Sequence, residues 1–144
     1  MRDRAADALL SLIPLYHKSV IRQRLVFSGI QLAKIHTLKI LMKYKSMPMS
    51  EIGNALYISR PYMTRLADLM IAEDLVERQS DPSDRRVINL VITDKGKKYL
   101  RQAINWYKKD LKENLASLGD QDVIRLSEAL EDTYLILSKI QGGE

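Results

Sequence analysis

Apolar residues recur at steps of three and four along most of the chain, with one interruption where short β-branched runs take over. Leu9, Ile13, Tyr16 and Val20 form the first stripe, inside a stretch from Arg4 to Leu25. That spacing lines one face of a helix with 3.6 residues per turn. Pro14 stands within it and predicts a kink or a restart, because proline lacks a backbone donor and crowds the preceding turn. Ser28-Gly29 marks the break. A second helix is predicted over Leu32 to Tyr44, with Ile35, Leu38, Leu41 and Met42 turned inward. Met47-Pro48-Met49 reads as short and extended. Ser50 is the expected cap of a short helix from Glu51 to Tyr57, with Ile52, Ala55 and Leu56 inward.

Ile58-Ser59-Arg60-Pro61 opens the most informative segment. Ser59 is a good N-cap, and Pro61 falls in the first turn, where its missing N–H costs nothing. The helix runs to about Glu73, with Met63, Leu66, Ala67 and Met70 on one face and Pro61, Thr64, Arg65 and Asp68 on the other. Two short helices, the second polar on its outer side, make a helix-turn-helix. Leu75–Gln79 and Val87–Ile92 follow as strands around the turn-rich, charged Ser80–Arg86. A hairpin directly after a helix-turn-helix is a wing. Thr93 then caps a long helix whose apolar positions run from Leu100 to Leu118, and Asp120 is the expected cap of the next. That last helix carries Val123, Leu126, Leu130, Tyr134, Leu137 and Ile140 at the same spacing. The fold class is mainly α with a small two- to three-stranded β-wing. Residues 31–100 form the winged helix-turn-helix, and residues 1–30 and 101–144 form a helical region. The apolar stripes at both ends exceed what a small winged-helix core can cover, which predicts a homodimer.

Composition narrows the chemistry. A chain of 144 residues with no cysteine has no disulfide framework, thiolate metal site or cysteine nucleophile. His17 and His36 stand in different segments and read as ordinary amphipathic positions, so no metal and no cofactor is expected. There is no glycine-rich phosphate loop and no Ser-His-Asp or paired-carboxylate arrangement, so an enzyme has no support. No apolar run reaches the roughly 18–20 residues that span a bilayer. Met1-Arg2-Asp3-Arg4 leads into no secretory signal, so a cytoplasmic protein without a membrane partner is expected. The net charge of +5 is uneven: +3 over residues 1–30, +4 over 31–100 and −2 over 101–144. A basic body with an acidic end suggests an anionic partner approached from one side.

Helix and wing together identify that partner as double-stranded DNA. A helix in the major groove needs polar side chains outward in its first turns. Ser59, Arg60, Pro61, Tyr62, Thr64 and Arg65 supply them. A wing that enters the minor groove needs long cations, and Arg85 and Arg86 stand at its turn beside Asp84. Asp84 is expected to hold a guanidinium through a bidentate pair. Any one of these residues alone would be an ordinary solvated side chain. Their placement on a helix-turn-helix and its wing favours the DNA reading. Two other classes stand beside it. A winged-helix protein-interaction module is disfavoured by the basic wing, and an enzyme using an interdomain crevice by the lack of a catalytic set.

These motifs resemble the multiple-antibiotic-resistance repressor (MarR) family of winged-helix transcription regulators. The likeness rests on Ser50-Glu51-Ile52-Gly53-Asn54-Ala55-Leu56, Ile58-Ser59, Thr64-Arg65-Leu66 and Leu75-Val76-Glu77-Arg78. Asp81-Pro82-Ser83-Asp84-Arg85-Arg86 and Ile92-Thr93-Asp94-Lys95-Gly96 complete it. The resemblance implies a homodimer with intertwined first and last helices, a palindromic operator, and repression relieved by a small, often phenolic, ligand. It gives Asp84 and Arg86 the wing roles, with Arg86 in the minor groove. It also implies a ligand crevice, for which Tyr16, His17 and the apolar side of the helix over 93–118 are the candidates, with a small aromatic acid as effector. The chain departs from the family pattern at Pro61 and Tyr62, where small hydroxyl residues are common. The absence of cysteine excludes the peroxide-sensing branch.

Overall fold

The computed structural model describes residues 1–19 and 29–141, apart from the side chains of His17, Ser19 and Gln141. The chain divides into two compact units, one of Met1–Arg22 with Lys108–Glu144 and one of Gln23–Tyr107.

The second unit holds the winged helix. Helix α2 (Gly29–Tyr44) starts three residues earlier than its apolar stripe suggested, and Gly29 is its first residue; Ser28 lies outside the described residues. Ile35, Leu38 and Leu41 are buried as expected, but Met42 is exposed. The inward face instead takes Lys34 and Thr37. The Lys34 ammonium donates to both carboxylate oxygens of Glu73 at 2.7 Å. A buried cation is tolerated only with such a partner, and this one is 39 residues away. Strand β1 (Ser46–Pro48) leads into α3 (Met49–Ala55). Ser50 lies inside α3 and is not its cap. Pro48 occupies that position, with no side-chain cap bond. Ile52 and Gly53 are buried, whereas Ala55 is exposed.

Helix α4 (Arg60–Ala72) begins as its sequence dictates. The Ser59 hydroxyl accepts the Tyr62 N–H at 3.4 Å, and Met63, Leu66, Ala67 and Met70 are buried. Strands β2 (Val76–Ser80) and β3 (Ile88–Ile92) each begin one residue later than expected. With β1 they form an antiparallel sheet in the order β1-β3-β2. Val76 pairs with Ile92, Arg78 with Leu90, and Met47 with Leu90 on the other side. The core joins α2, α3, α4 and the sheet around Leu38, Leu41, Ile52, Leu66, Met70 and Leu90.

Helix α5 (Asp94–Leu115) is locked at its start. Thr93 accepts the Gly96 N–H at 2.9 Å and donates its hydroxyl to the Asp74 carbonyl at 2.6 Å. Leu100 completes the core from this helix.

The first unit contains α1 (Arg2–Ser19), the end of α5 and α6 (Asp120–Gln141). α1 runs through Pro14 without restarting. The part of the expected helix beyond Ser19 falls outside the described residues. α5 ends at Leu115, short of Leu118. The Gly119 carbonyl accepts from the N–H groups of Asp122 and Val123, so Gly119 holds the cap position and Asp120 is already helical. Leu10, Ile13, Leu15, Leu130, Tyr134 and Ile140 are exposed on α1 and α6. No described helix is long and apolar enough to cross a membrane.

Candidate nucleic-acid interface

One groove gathers the polar residues of the helix-turn-helix and the wing. It measures about 620 Å³, and its lining includes Ser50, Asn54, Arg60, Thr64, Arg78 and Arg86. Met63, Val87 and Ile88 form part of its apolar lining. Arg60 and Thr64 lie one turn apart on α4, and the Thr64 hydroxyl donates to the Arg60 carbonyl at 3.1 Å. Pro61 and Arg65 are exposed on the same helix and do not line the groove. Tyr62 is half-buried and packs against the core, so less of it is free to meet a ligand.

The wing loop is built on Asp81. Its carboxylate accepts from the Ser83 hydroxyl, from the Ser83 N–H at 2.8 Å, from the Asn89 amide at 3.1 Å and from the Asp84 N–H at 3.3 Å. These donors, the Ser83 hydroxyl foremost, lower its pKa from 3.8 to about 2. The loop closes with Asp81 N–H to Val87 carbonyl at 3.0 Å and Val87 N–H to Asp84 carbonyl at 2.9 Å.

Asp84 does not play the part expected of it. Its carboxylate accepts the backbone N–H of Arg86 at 2.9 Å, and among the described ion pairs it meets neither arginine. A short carboxylate closes a turn onto the N–H two residues ahead, and here that bond engages Oδ1 with the backbone. Arg85 and Arg86 are both exposed, and Arg86 faces the groove.

Arg78 joins the site without having been singled out. It pairs with Asp68 on α4 and lines the groove with Arg60 and Arg86. Alternation along β2 carries the signal. Val76 is buried toward the core, so Arg78, two residues on, shares its face of the strand. Of the residues named for a ligand, Tyr16 is exposed on α1, and the His17 side chain lies outside the described residues. Among the described residues no group of three or more His, Asp or Glu could hold a metal ion.

A Ser59-capped α4 and an arginine-bearing hairpin fastened to it define a winged helix-turn-helix protein. The MarR family model matches residues 30–88. The helix-turn-helix regulator YsmB of Bacillus subtilis is 27% identical over 93 residues, 65% of this chain and 64% of that protein. The chain thus matches just under two thirds of that relative. The transcriptional repressor MdtR of the same organism is 26% identical over 122 residues, 83% of this chain and 79% of its own. Among solved structures, a MarR family protein from Bacillus stearothermophilus superposes with a TM-score of 0.71 at 19% identity, covering 96% of this chain and 99% of that one. FabT of Streptococcus pneumoniae, solved in complex with DNA, gives 0.59 at 20% identity, covering 97% and 99%. Over residues 30–88 the chain is similar to the MarR family of winged helix-turn-helix transcriptional regulators, and its fold matches that of the family's solved members.

Proposed function

We propose that the protein is a transcriptional repressor that binds a palindromic operator as a homodimer, with α4 in the major groove and the wing against the minor groove. The observation that carries this reading is the groove itself. Arg60 and Thr64 from α4, Arg78 from β2 and Arg86 from the wing loop converge there, with Arg65 exposed beside them on the reading helix. The exposed apolar side chains on α1 and α6 support dimerisation. That FabT was solved with DNA supports the choice of partner. Relief of repression by a small aromatic acid rests on the family resemblance. Titrating salicylate-like compounds into the protein–DNA complex tests it, and no release at millimolar levels removes that part of the reading.

Two substitutions separate the roles. Arg65→Ala should lose about 1–3 kcal/mol on the best site and relax preference at one base pair, as expected for a contact to a base edge. Arg86→Ala should weaken specific and non-specific binding together. It should flatten the slope of log K against log salt by about one to two units per dimer, because that many phosphate neutralisations are lost. An Arg86→Ala dimer with unchanged affinity and slope would contradict the wing assignment and favour a protein-interaction module.

A further inference from the structure

The turn between α3 and α4 is made by a residue that the backbone there disfavours. Tyr57 has φ of 53°, in the left-handed region. The Ile58 N–H reaches back to the Gly53 carbonyl at 3.0 Å and the Tyr57 N–H to the Asn54 carbonyl at 3.1 Å. These two bonds form the Schellman ending of a helix, in which the left-handed position usually holds glycine because a side chain is strained there. Lys45 and Asp74 also take positive φ. Aspartate accepts the left-handed region readily, and lysine carries no bulky ring close to the backbone. An aromatic side chain is the unusual occupant.

Packing gives no reason for it. Tyr57 is 95% exposed, so its ring adds nothing to the core that a glycine would lose. Its position is what distinguishes it. It stands two residues before the Ser59 cap and three before Arg60, and its neighbours Asn54, Ile58 and Arg60 line the groove. Strain held in place by surrounding hydrogen bonds, with no packing return, is the pattern of a functional side chain.

We propose that Tyr57 donates its phenolic hydroxyl to a phosphate oxygen of the bound operator, fixing the backbone of the DNA at the N-terminal end of α4. The inference rests on the DNA-binding reading above. Tyrosine is among the side chains that make such contacts, and a hydrogen bond to an ionised phosphate is stronger than one between neutral groups. The contact positions the duplex and carries no sequence information. It also neutralises no charge, which separates it from the contribution of Arg86.

The full-length protein, its selected operator and two variants test this. Binding is measured by fluorescence anisotropy over a range of KCl concentrations, and folding by thermal melting. Tyr57→Phe and Tyr57→Gly should each weaken operator binding by about tenfold, with a parallel loss on non-specific duplex. The log K against log salt slope should stay at its wild-type value. Tyr57→Gly fits the left-handed backbone and should melt about 2–4 °C higher than wild type while binding more weakly. Wild-type affinity in Tyr57→Phe would overturn the contact, as would a flattened salt slope, which would mean that the arginines had moved. Wild-type protein that retains no duplex would overturn the DNA-binding reading and this contact together. Binding by wild type with an unaffected Phe variant would overturn the contact alone.

Discussion

Asp81 shows how one side chain can organise a functional loop. Four donors converge on its carboxylate, and all prefer it ionised. Its folded pKa is depressed, so its contribution to the wing is complete above its ordinary 3.8 and is lost as pH falls toward about 2. The Ser83 backbone amide, followed by NMR, should therefore titrate with a midpoint near 2; a midpoint near 4 would mean that the carboxylate is not held by the loop. Sequence reading found the loop and its arginines but not this arrangement. Asp81 and Asp84 look alike as letters, and which oxygen meets which N–H depends on how the turn folds. The same limit explains Asp84, whose spacing from Arg86 was read as a side-chain pair and proved to be a side-chain-to-backbone bond. Ser59 was readable because a cap is a local event, fixed by its own residue and the next three.

The elements are legible where periodicity is strong, and several differ from expectation at their ends, where single hydrogen bonds decide. Ser50 and Asp120 are good capping types, yet each lies inside its helix because Pro48 and Gly119 hold the cap positions. Long-range partners were beyond the pattern altogether. Lys34 reads as a polar position between apolar ones, and only the fold brings Glu73 to it. The Thr93-x-x-Gly96 motif is part of the family likeness, and its physical reason is contact between elements. A Cβ on Gly96 would stand 2.1 Å from the Leu75 carbonyl oxygen, so α5 can approach the corner between α4 and β2 only with glycine there. Backbone cannot give way as a flexible side chain can. Gly96→Ala should cost about 1–3 kcal/mol or more in urea denaturation. A variant as stable as wild type would mean that α5 does not hold this close approach. The same displacement would move the strand that carries Arg78, so DNA affinity should fall along with stability.

At the scale of the whole molecule, the helix-turn-helix unit buries its apolar residues, while the terminal helices leave many of theirs in solvent. Leu10 is 66% exposed, Tyr134 74% and Ile140 75%, values that motivate the proposed dimer. Sedimentation at micromolar concentration should give about twice the 16.6 kDa chain mass; a well-behaved monomer would remove the basis for a palindromic site. Both apolar stripes were visible in the sequence, since helical period marks a face whether or not anything covers it. What covers that face was not visible, and no base preference was either, because Pro61 and Tyr62 depart from the family pattern on α4. If α4 and the wing read DNA, binding-site selection from randomised duplexes with the purified protein should enrich an inverted repeat whose half-sites lie about 10 bp apart, centre to centre, one turn of the double helix. Recovery of no enriched sequence, with no retention of duplex DNA above background, would contradict that reading.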